Sequence, residues 1–164
     1  MIDRAERAVT EWKKEWPTLD AAPMALGGRL LEAAQQLDRH WNAPLARQLG
    51  LQTGEFDVLA TLRRAGAPYA LTPGRLNESL MLSSGAMTNR LDRLEQKGLI
   101  TRTHSPEDRR SVQVQLSDEG QALTERMMPQ HVDNLQQAFS ALTAEEQRQL
   151  SGLLCRLSRS LSAP

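Results

Sequence analysis

The sequence predicts a mainly α-helical protein with one short β hairpin, and three observations support this fold class. Apolar residues recur at helical spacing over most of the 164 residues. After Gly98 the spacing changes, and apolar and polar residues alternate in two short runs, as in half-buried strands. Long amphipathic patterns occupy both ends of the chain. The length suffices for one domain or two tightly coupled lobes.

Two helices are predicted at the N-terminal end. The first extends from Asp3 to Trp16, with both of its tryptophans on one face, and Pro17 closes it. A wide apolar stripe then predicts a long helix from Met24 to about Leu49. Pro44 is expected to kink or end this helix, because proline cannot donate a backbone hydrogen bond.

Two further helices are predicted before residue 81. One extends from Thr53, a plausible N-cap, to Ala65, and Gly66 is expected to end it. The next is short and extends to about Leu80, with Pro73 at its first position, where the missing N–H is tolerated.

The middle of the chain predicts a DNA-binding unit. Ser83 or Ser84 caps a cationic helix that continues to Lys97 and ends at Gly98. Two short helices joined by a few residues, the second cationic, form a helix-turn-helix pattern. The segments "LITRTH" and "SVQVQLS", joined by "SPEDRR", predict a two-stranded β wing. The order of these elements favours DNA binding, although each one alone is more often a solvated surface.

Two long helices are predicted after the wing. The first extends from Ser117 to about Ser140, bent or broken at Pro129. The last begins with Thr143 and Glu146 at the spacing of a capping box. Helices with apolar stripes wider than a small lobe can cover usually pack against a second copy, so a homodimer is expected. The predicted regions are N-terminal helices over 1–50, a DNA-binding lobe over 51–116 and C-terminal dimerisation helices over 117–164.

Composition limits the other function classes. Lys and Arg together equal Asp and Glu at 20 each, so the positive bias is local and lies between Arg90 and Arg110. No apolar run could span a bilayer, and the single Cys155 fits a reducing cytoplasm. Clusters with catalytic or metal-ligand spacing do not appear in the sequence, so no enzyme activity, metal or cofactor is expected.

These residues resemble the MarR family of bacterial transcriptional regulators over nearly the whole chain. The most specific motifs are Asp-Arg-Arg in the wing and the "L-x-x-x-G" that opens the following helix. The resemblance implies a homodimer whose two cationic helices enter successive major grooves of double-stranded DNA while the wings reach the minor groove. The residues expected to contact DNA are Ser83, Ser84, Met87, Thr88, Arg90, Arg93, Arg109 and Arg110.

The N-terminal segment "WKKEWPTLD" is similar to the PecS and urate-responsive branch of that family. That branch implies a ligand site, and the matching positions here are Trp12, Asp57, Arg90 and Arg102. Arginine forks suit a planar anion, and an indole can stack on an aromatic ring. The expected effector is therefore urate or a similar aromatic anion, and a ligand on Arg90 would compete with the placement of its helix on DNA.

Several alternatives remain open from the sequence. Trp12 could pin the first helix to the core, Asp57 could be partly buried in a structural ion pair, and Arg102 could contact only phosphate. The effector could be another phenolic or aromatic compound, or the regulator could be constitutive. A helical interaction module that does not bind DNA is a further alternative.

Overall fold

The computed structural model describes residues 3–80, 84–104 and 112–162. Within these ranges the chain forms eight α-helices, one π-helical turn and three short strands. The elements in order are α1 Arg4–Glu15, α2 Ala22–Leu37, the π turn Asp38–Asn42, α3 Ala43–Gln48, α4 Thr53–Arg64, β1 Ala70–Leu71, α5 Pro73–Leu80, α6 Ser84–Gln96, β2 Ile100–His104, β3 Val112–Leu116, α7 Asp118–Ala138 and α8 Ala144–Ser162. The predicted mainly helical fold class is confirmed.

The chain divides into two compact units, residues 1–44 and 45–164. In the first unit, Asp3 caps α1 by accepting a hydrogen bond from the Glu6 backbone N–H at 2.6 Å. The same carboxylate accepts a hydrogen bond from Arg29 Nε at 2.7 Å, which ties α1 to α2. Gly28 faces α1, since a Cβ there would be in ordinary van der Waals contact with the Ala5 methyl group at 3.6 Å. The predicted first helix is therefore confirmed.

The predicted second helix is interrupted where Pro44 perturbs it. The residues before this proline form a π-helical turn, in which the Ala43 N–H donates to the Asp38 carbonyl five residues earlier. A proline ring collides with the carbonyl four residues before it in a regular α-helix. The wider π turn provides a reason why the helical path continues into α3 instead of ending.

The core of the second unit lies among α4, α5, α6, α7 and the strands β2 and β3. Its central side chains are almost completely buried and apolar, as expected where helices pack around one core. The largest of them are Leu59, Leu62, Leu76, Met87, Leu94, Ile100 and Met127.

The wing is confirmed, and it belongs to a three-stranded antiparallel sheet of order β1-β3-β2. Strands β2 and β3 pair from Ile100 with Leu116 to His104 with Val112. Strand β1 was not predicted. It has two residues, too few to show an alternating pattern, and it pairs Ala70 with Gln115.

The start of α4 differs from the sequence prediction by one residue. The N-cap is Gln52, in extended conformation, and not Thr53. The Gln52 backbone N–H donates to Glu55 Oε2 at 3.0 Å, so the third helical residue satisfies the donor that precedes the helix. This arrangement brings a carboxylate to the beginning of α4.

The two C-terminal helices begin as predicted. The Ser117 hydroxyl caps α7 by accepting from the Gly120 N–H at 3.0 Å. Helix α7 is not broken at Pro129, which lies inside it. Helix α8 follows the predicted capping box, in which the Thr143 N–H donates to Glu146 Oε2 at 2.7 Å. None of the helices in the described ranges is long and apolar enough to cross a membrane.

Candidate functional site

The outer face of α6 is the first candidate surface. Met87, Leu91 and Leu94 recur at helical spacing and lie in the core. Gly85, Thr88 and Asn89 lie on the other side of the helix and are exposed. Helix α6 therefore presents a face of small and polar residues near its N-terminus, the geometry that reads base edges in helix-turn-helix proteins.

Met87 was predicted to contact DNA, and the structure corrects this prediction. Its side chain is 1% exposed and packs in the core. The i, i+4, i+7 spacing of the residues Met87, Leu91 and Leu94 assigns this position to the buried face of the helix.

The other predicted DNA contacts differ in how far the structure describes them. Ser83, Arg109 and Arg110 lie outside the described residues. The backbone of Ser84 begins α6, and Thr88 is exposed on its outer face. Both positions are in the first two turns of α6, and their contact with DNA stays a prediction.

Asn89 was missed by the sequence reasoning. It is exposed, next to Thr88 and one turn beyond Gly85. An asparagine amide both donates and accepts, and it can pair with two atoms on the major-groove edge of adenine. The signal was available, because residues 85, 88 and 89 share the spacing of one helix face.

Arg90 lies against the first turn of α4. A Cβ at Gly54 would overlap the Arg90 guanidinium, so this flexible side chain packs directly against the Gly54 backbone. Asp57 follows Gly54 by three residues and therefore lies on the same side of α4. Partial burial of Asp57 was one of the alternatives left open by the sequence, and its side chain is exposed. A cation and a carboxylate thus lie near one another on one surface.

His131 of α7 borders the same surface, although the sequence reasoning gave it no role. Its ring packs against Phe56 with the ring centroids 4.9 Å apart. Burial lowers the pKa of His131, and the Asp57 carboxylate partly offsets that decrease. Asp57 directly follows Phe56 in the chain, so α4 brings it to the part of the surface that His131 borders.

Arg102 and Arg90 lie on different parts of the molecular surface. Its Nη2 donates to Asp92 Oδ1 at 2.5 Å, and its Nε lies 3.5 Å from Glu95 Oε2. At 100° per residue, Asp92 and Glu95 lie on the side of α6 opposite to Arg90. The structure therefore does not bring the two arginines of the predicted ligand set together.

Trp12, the fourth predicted ligand residue, lies on α1 in the first compact unit. Its side chain is 40% exposed. Asp57, Arg90 and Arg102 all belong to the second unit.

A buried carboxylate joins α4 to α6. Glu55 is 0% exposed, and its Oε1 accepts from Arg93 Nε at 2.7 Å while its Oε2 accepts from Lys97 Nζ at 2.6 Å. Lys97 also donates to the Gly50 carbonyl at 2.8 Å. Arg93, a predicted phosphate contact, is thus engaged within the protein.

These contacts predict a dependence of stability on pH. Burial alone would raise the pKa of Glu55, but hydrogen bonds from Lys97, the Gln52 N–H and Arg93 outweigh it and lower that pKa below 4.5. A carboxyl group whose pKa is lower in the folded than in the unfolded state stabilises the fold at pH values above its unfolded-state pKa. This stabilisation is lost as the pH falls through the folded-state pKa. We expect Glu55→Gln to flatten the decrease in melting temperature below pH 4.5. An equally steep decrease in this variant and in a Glu78→Gln control, which alters an exposed carboxylate, would contradict the assignment.

Comparisons with known sequences point to one family. A sequence profile of the MarR family matches residues 35–112. The chain is 42% identical over 153 residues to the HTH-type transcriptional regulator PecS of Dickeya dadantii, covering 93% of this chain and 92% of that protein. It is 36% identical over 129 residues to the multiple antibiotic resistance protein MarR of Escherichia coli, covering 77% and 87%.

Solved structures show the same likeness. A mutant of MarR from E. coli, complexed with operator DNA, superposes with a TM-score of 0.73 at 31% identity, covering 89% of this chain and 96% of that one. A MarR family transcriptional regulator from Streptomyces coelicolor, in complex with DNA, gives a TM-score of 0.80 at 27% identity, covering 88% and 91%.

Proposed function

Because the chain belongs to the MarR family of DNA-binding transcriptional regulators and is not an enzyme, we propose that it is a homodimeric repressor released by a small aromatic anion. The proposed operator is a pseudo-palindrome, with one half-site for each subunit. The observation that carries this proposal is the exposed, small and polar face of α6, supported by the two similar structures solved with DNA.

Exposed apolar side chains support the homodimer. Helix α2 exposes a stripe of large apolar residues, and α8 exposes another. The residues are Met24, Leu26, Leu30 and Leu31 in α2 and Leu150, Leu153, Leu154 and Leu161 in α8. Contiguous exposed apolar surface of this kind marks a protein interface. In a symmetric homodimer, a second copy of the chain would cover both of these apolar stripes.

The outer face of α6 supports sequence recognition. We propose that Ser84, Thr88 and Asn89 read base edges in the major groove and that Arg90 supports the same helix from its side. The wing arginines Arg109 and Arg110 are proposed to enter the narrow, negatively charged minor groove. Base contacts then choose the sequence, and phosphate contacts fix the register.

The surface around Asp57 supports a response to an anion. Arg90 supplies a planar cation, Asp57 supplies an acceptor for ring N–H groups, and His131 borders them. We propose this surface of the second unit as the effector site, without Arg102. An anion that engages Arg90 would change the environment of the recognition helix, which would couple effector to operator. Urate is one effector of this chemistry, and phenolic or other aromatic acids are the alternatives.

One experiment tests both parts of the proposal. An operator is selected from a pool of random duplexes, and binding is measured by mobility shift across a salt series with urate and a panel of aromatic acids. We expect a steep loss of binding with salt and release by at least one aromatic anion. Asp57→Asn should keep the operator affinity within about fivefold, since about 1 kcal/mol is typical for one polar contact, and should weaken the release.

Three outcomes would contradict the proposal or a part of it. Failure to enrich any duplex would reject operator binding. An unchanged release of Asp57→Asn would remove Asp57 from the effector site, and a fall in its melting temperature together with lost operator binding would make Asp57 structural. Arg148→Gln, which removes an exposed cation of α8, serves as the control for general charge effects.

A further inference from the structure

Two cations at the C-terminal end of α6 share one partner. Arg93 lies in the last turn of α6, and Lys97 directly follows the last residue of the helix. They are four residues apart, so their side chains lie on one side of it. Both reach the buried carboxylate of Glu55, which accepts the backbone N–H of Gln52 as well. Arg93 Nε and Lys97 Nζ are therefore directed toward α4.

A buried carboxylate imposes strict requirements on its surroundings. An ionised group out of contact with water must be paired and hydrogen-bonded, and removal of a partner leaves an uncompensated charge. Glu55 is fully buried, whereas the side chains of Arg93 and Lys97 are 38% and 36% exposed. The carboxylate thus holds two partly exposed cations in place at the edge of the DNA-binding helix.

Helix α6 is also held from its opposite side. Arg102 of β2 contacts Asp92 and Glu95 there. Ion pairs on two opposite sides restrict rotation of α6 about its own axis. By helical spacing, Thr88 lies on the same face as Asp92 and Glu95, and the exposed Asn89 lies between the two sets of ion pairs. The direction of both side chains therefore depends on these contacts.

We propose that Glu55 is a positioning residue for operator recognition, and that Arg93 and Lys97 are its partners rather than phosphate contacts. Glu55 fixes the rotation of α6 relative to α4 and thereby the direction in which Thr88 and Asn89 point. Glu55 also keeps two cations of the recognition helix away from the DNA backbone. This inference rests on the proposed function, because it assumes that α6 reads an operator.

Lys97→Gln is the decisive variant, because its position is partly exposed and the fold does not depend on it alone. Operator affinity and affinity for a scrambled duplex of equal length are measured over a salt series. We expect operator affinity to fall about tenfold, the loss typical of one misplaced base contact. Scrambled-duplex affinity and the salt slope should stay as in the wild type. A direct phosphate contact predicts instead that both affinities fall alike and that the slope falls by about 0.9 per subunit.

Glu55→Gln provides the reciprocal test. Release of Arg93 and Lys97 should raise scrambled-duplex affinity and steepen the salt slope, while the preference for operator decreases. Adding Lys97→Gln to this variant should return the slope toward the wild-type value. A parallel loss of both affinities, with no change in slope, would show that Glu55 matters only for stability and would overturn the proposal.

The controls separate this inference from the proposed function. Thermal unfolding followed by circular dichroism confirms that each variant is folded at the assay temperature. Arg148→Gln removes a cation from α8 and should change neither the preference nor the slope. If the wild type itself shows no preference for a selected duplex, the proposed function fails. If the wild type shows that preference and Lys97→Gln behaves as a phosphate contact, only the positioning role fails.

Discussion

Gly120→Ala is expected to lower the free energy of unfolding by about 3 kcal/mol, the upper part of the range for overpacking. A Cβ at this position would collide with the Leu99 carbonyl oxygen and approach Leu116 Cδ2 to 3.3 Å. The Leu99 carbonyl also accepts the Ser117 N–H at 3.2 Å, and Ser117 Oγ donates to the Gly98 carbonyl at 2.6 Å. The backbone on both sides of the collision is thus fixed by hydrogen bonds and cannot move away.

Chemical denaturation of the wild type and this variant measures the expected loss. Gly74→Ala in α5 is a suitable control, since the nearest atom to its added Cβ would be Thr72 Oγ1 at 3.9 Å. Alanine has the higher helix propensity, so this control should be neutral or stabilising by up to about 1 kcal/mol. Equal unfolding free energies for Gly120→Ala and wild type would show that β2 and α7 can separate without penalty.

The double substitution Leu153→Glu, Leu154→Glu is expected to reduce operator affinity about 100-fold or more. The two leucines are 53% and 40% exposed on α8 and are proposed to contact a second copy of the chain. Carboxylates buried there without partners would prevent association. Two linked reading helices bind a palindrome far more tightly than either one alone, so the loss of the dimer removes that gain.

Sedimentation velocity and mobility shift on the selected operator check this result together. The variant should sediment as a folded single subunit with an unchanged helical spectrum. Arg159→Glu changes the charge of the same helix at an exposed position on the side opposite to these leucines and serves as its control. A double variant that remains dimeric, or a monomer that keeps full operator affinity, would exclude α8 from the interface.

The elements of the fold were predictable because their signals are local. Ser117 and the Thr143–Glu146 pair mark helix starts through contacts over three residues, and both are observed. Gly98 ends α6 with a φ of 69°, a conformation that glycine adopts readily. Strand β1 escaped prediction because two residues have no period, and its pairing depends on β3 more than forty residues away.

The candidate site was less predictable, because tertiary contacts decide it. Glu55 resembles an ordinary helix-start carboxylate in the sequence, yet its partners lie 38 and 42 residues further on. Arg102 was grouped with Arg90 through resemblance, and its contacts with Asp92 and Glu95 became visible only in the structure. Met87 is the exception, since helical spacing alone could have assigned it to the core.

The two-residue strand β1 has a consequence for solubility. An open strand edge offers unpaired backbone groups that can recruit another chain and begin aggregation. Ala70 and Leu71 pair with Gln115 and Val114, so this end of β3 is already occupied on the side away from β2. Deletion of the short strand would free that edge and favour the growth of insoluble intermolecular sheets.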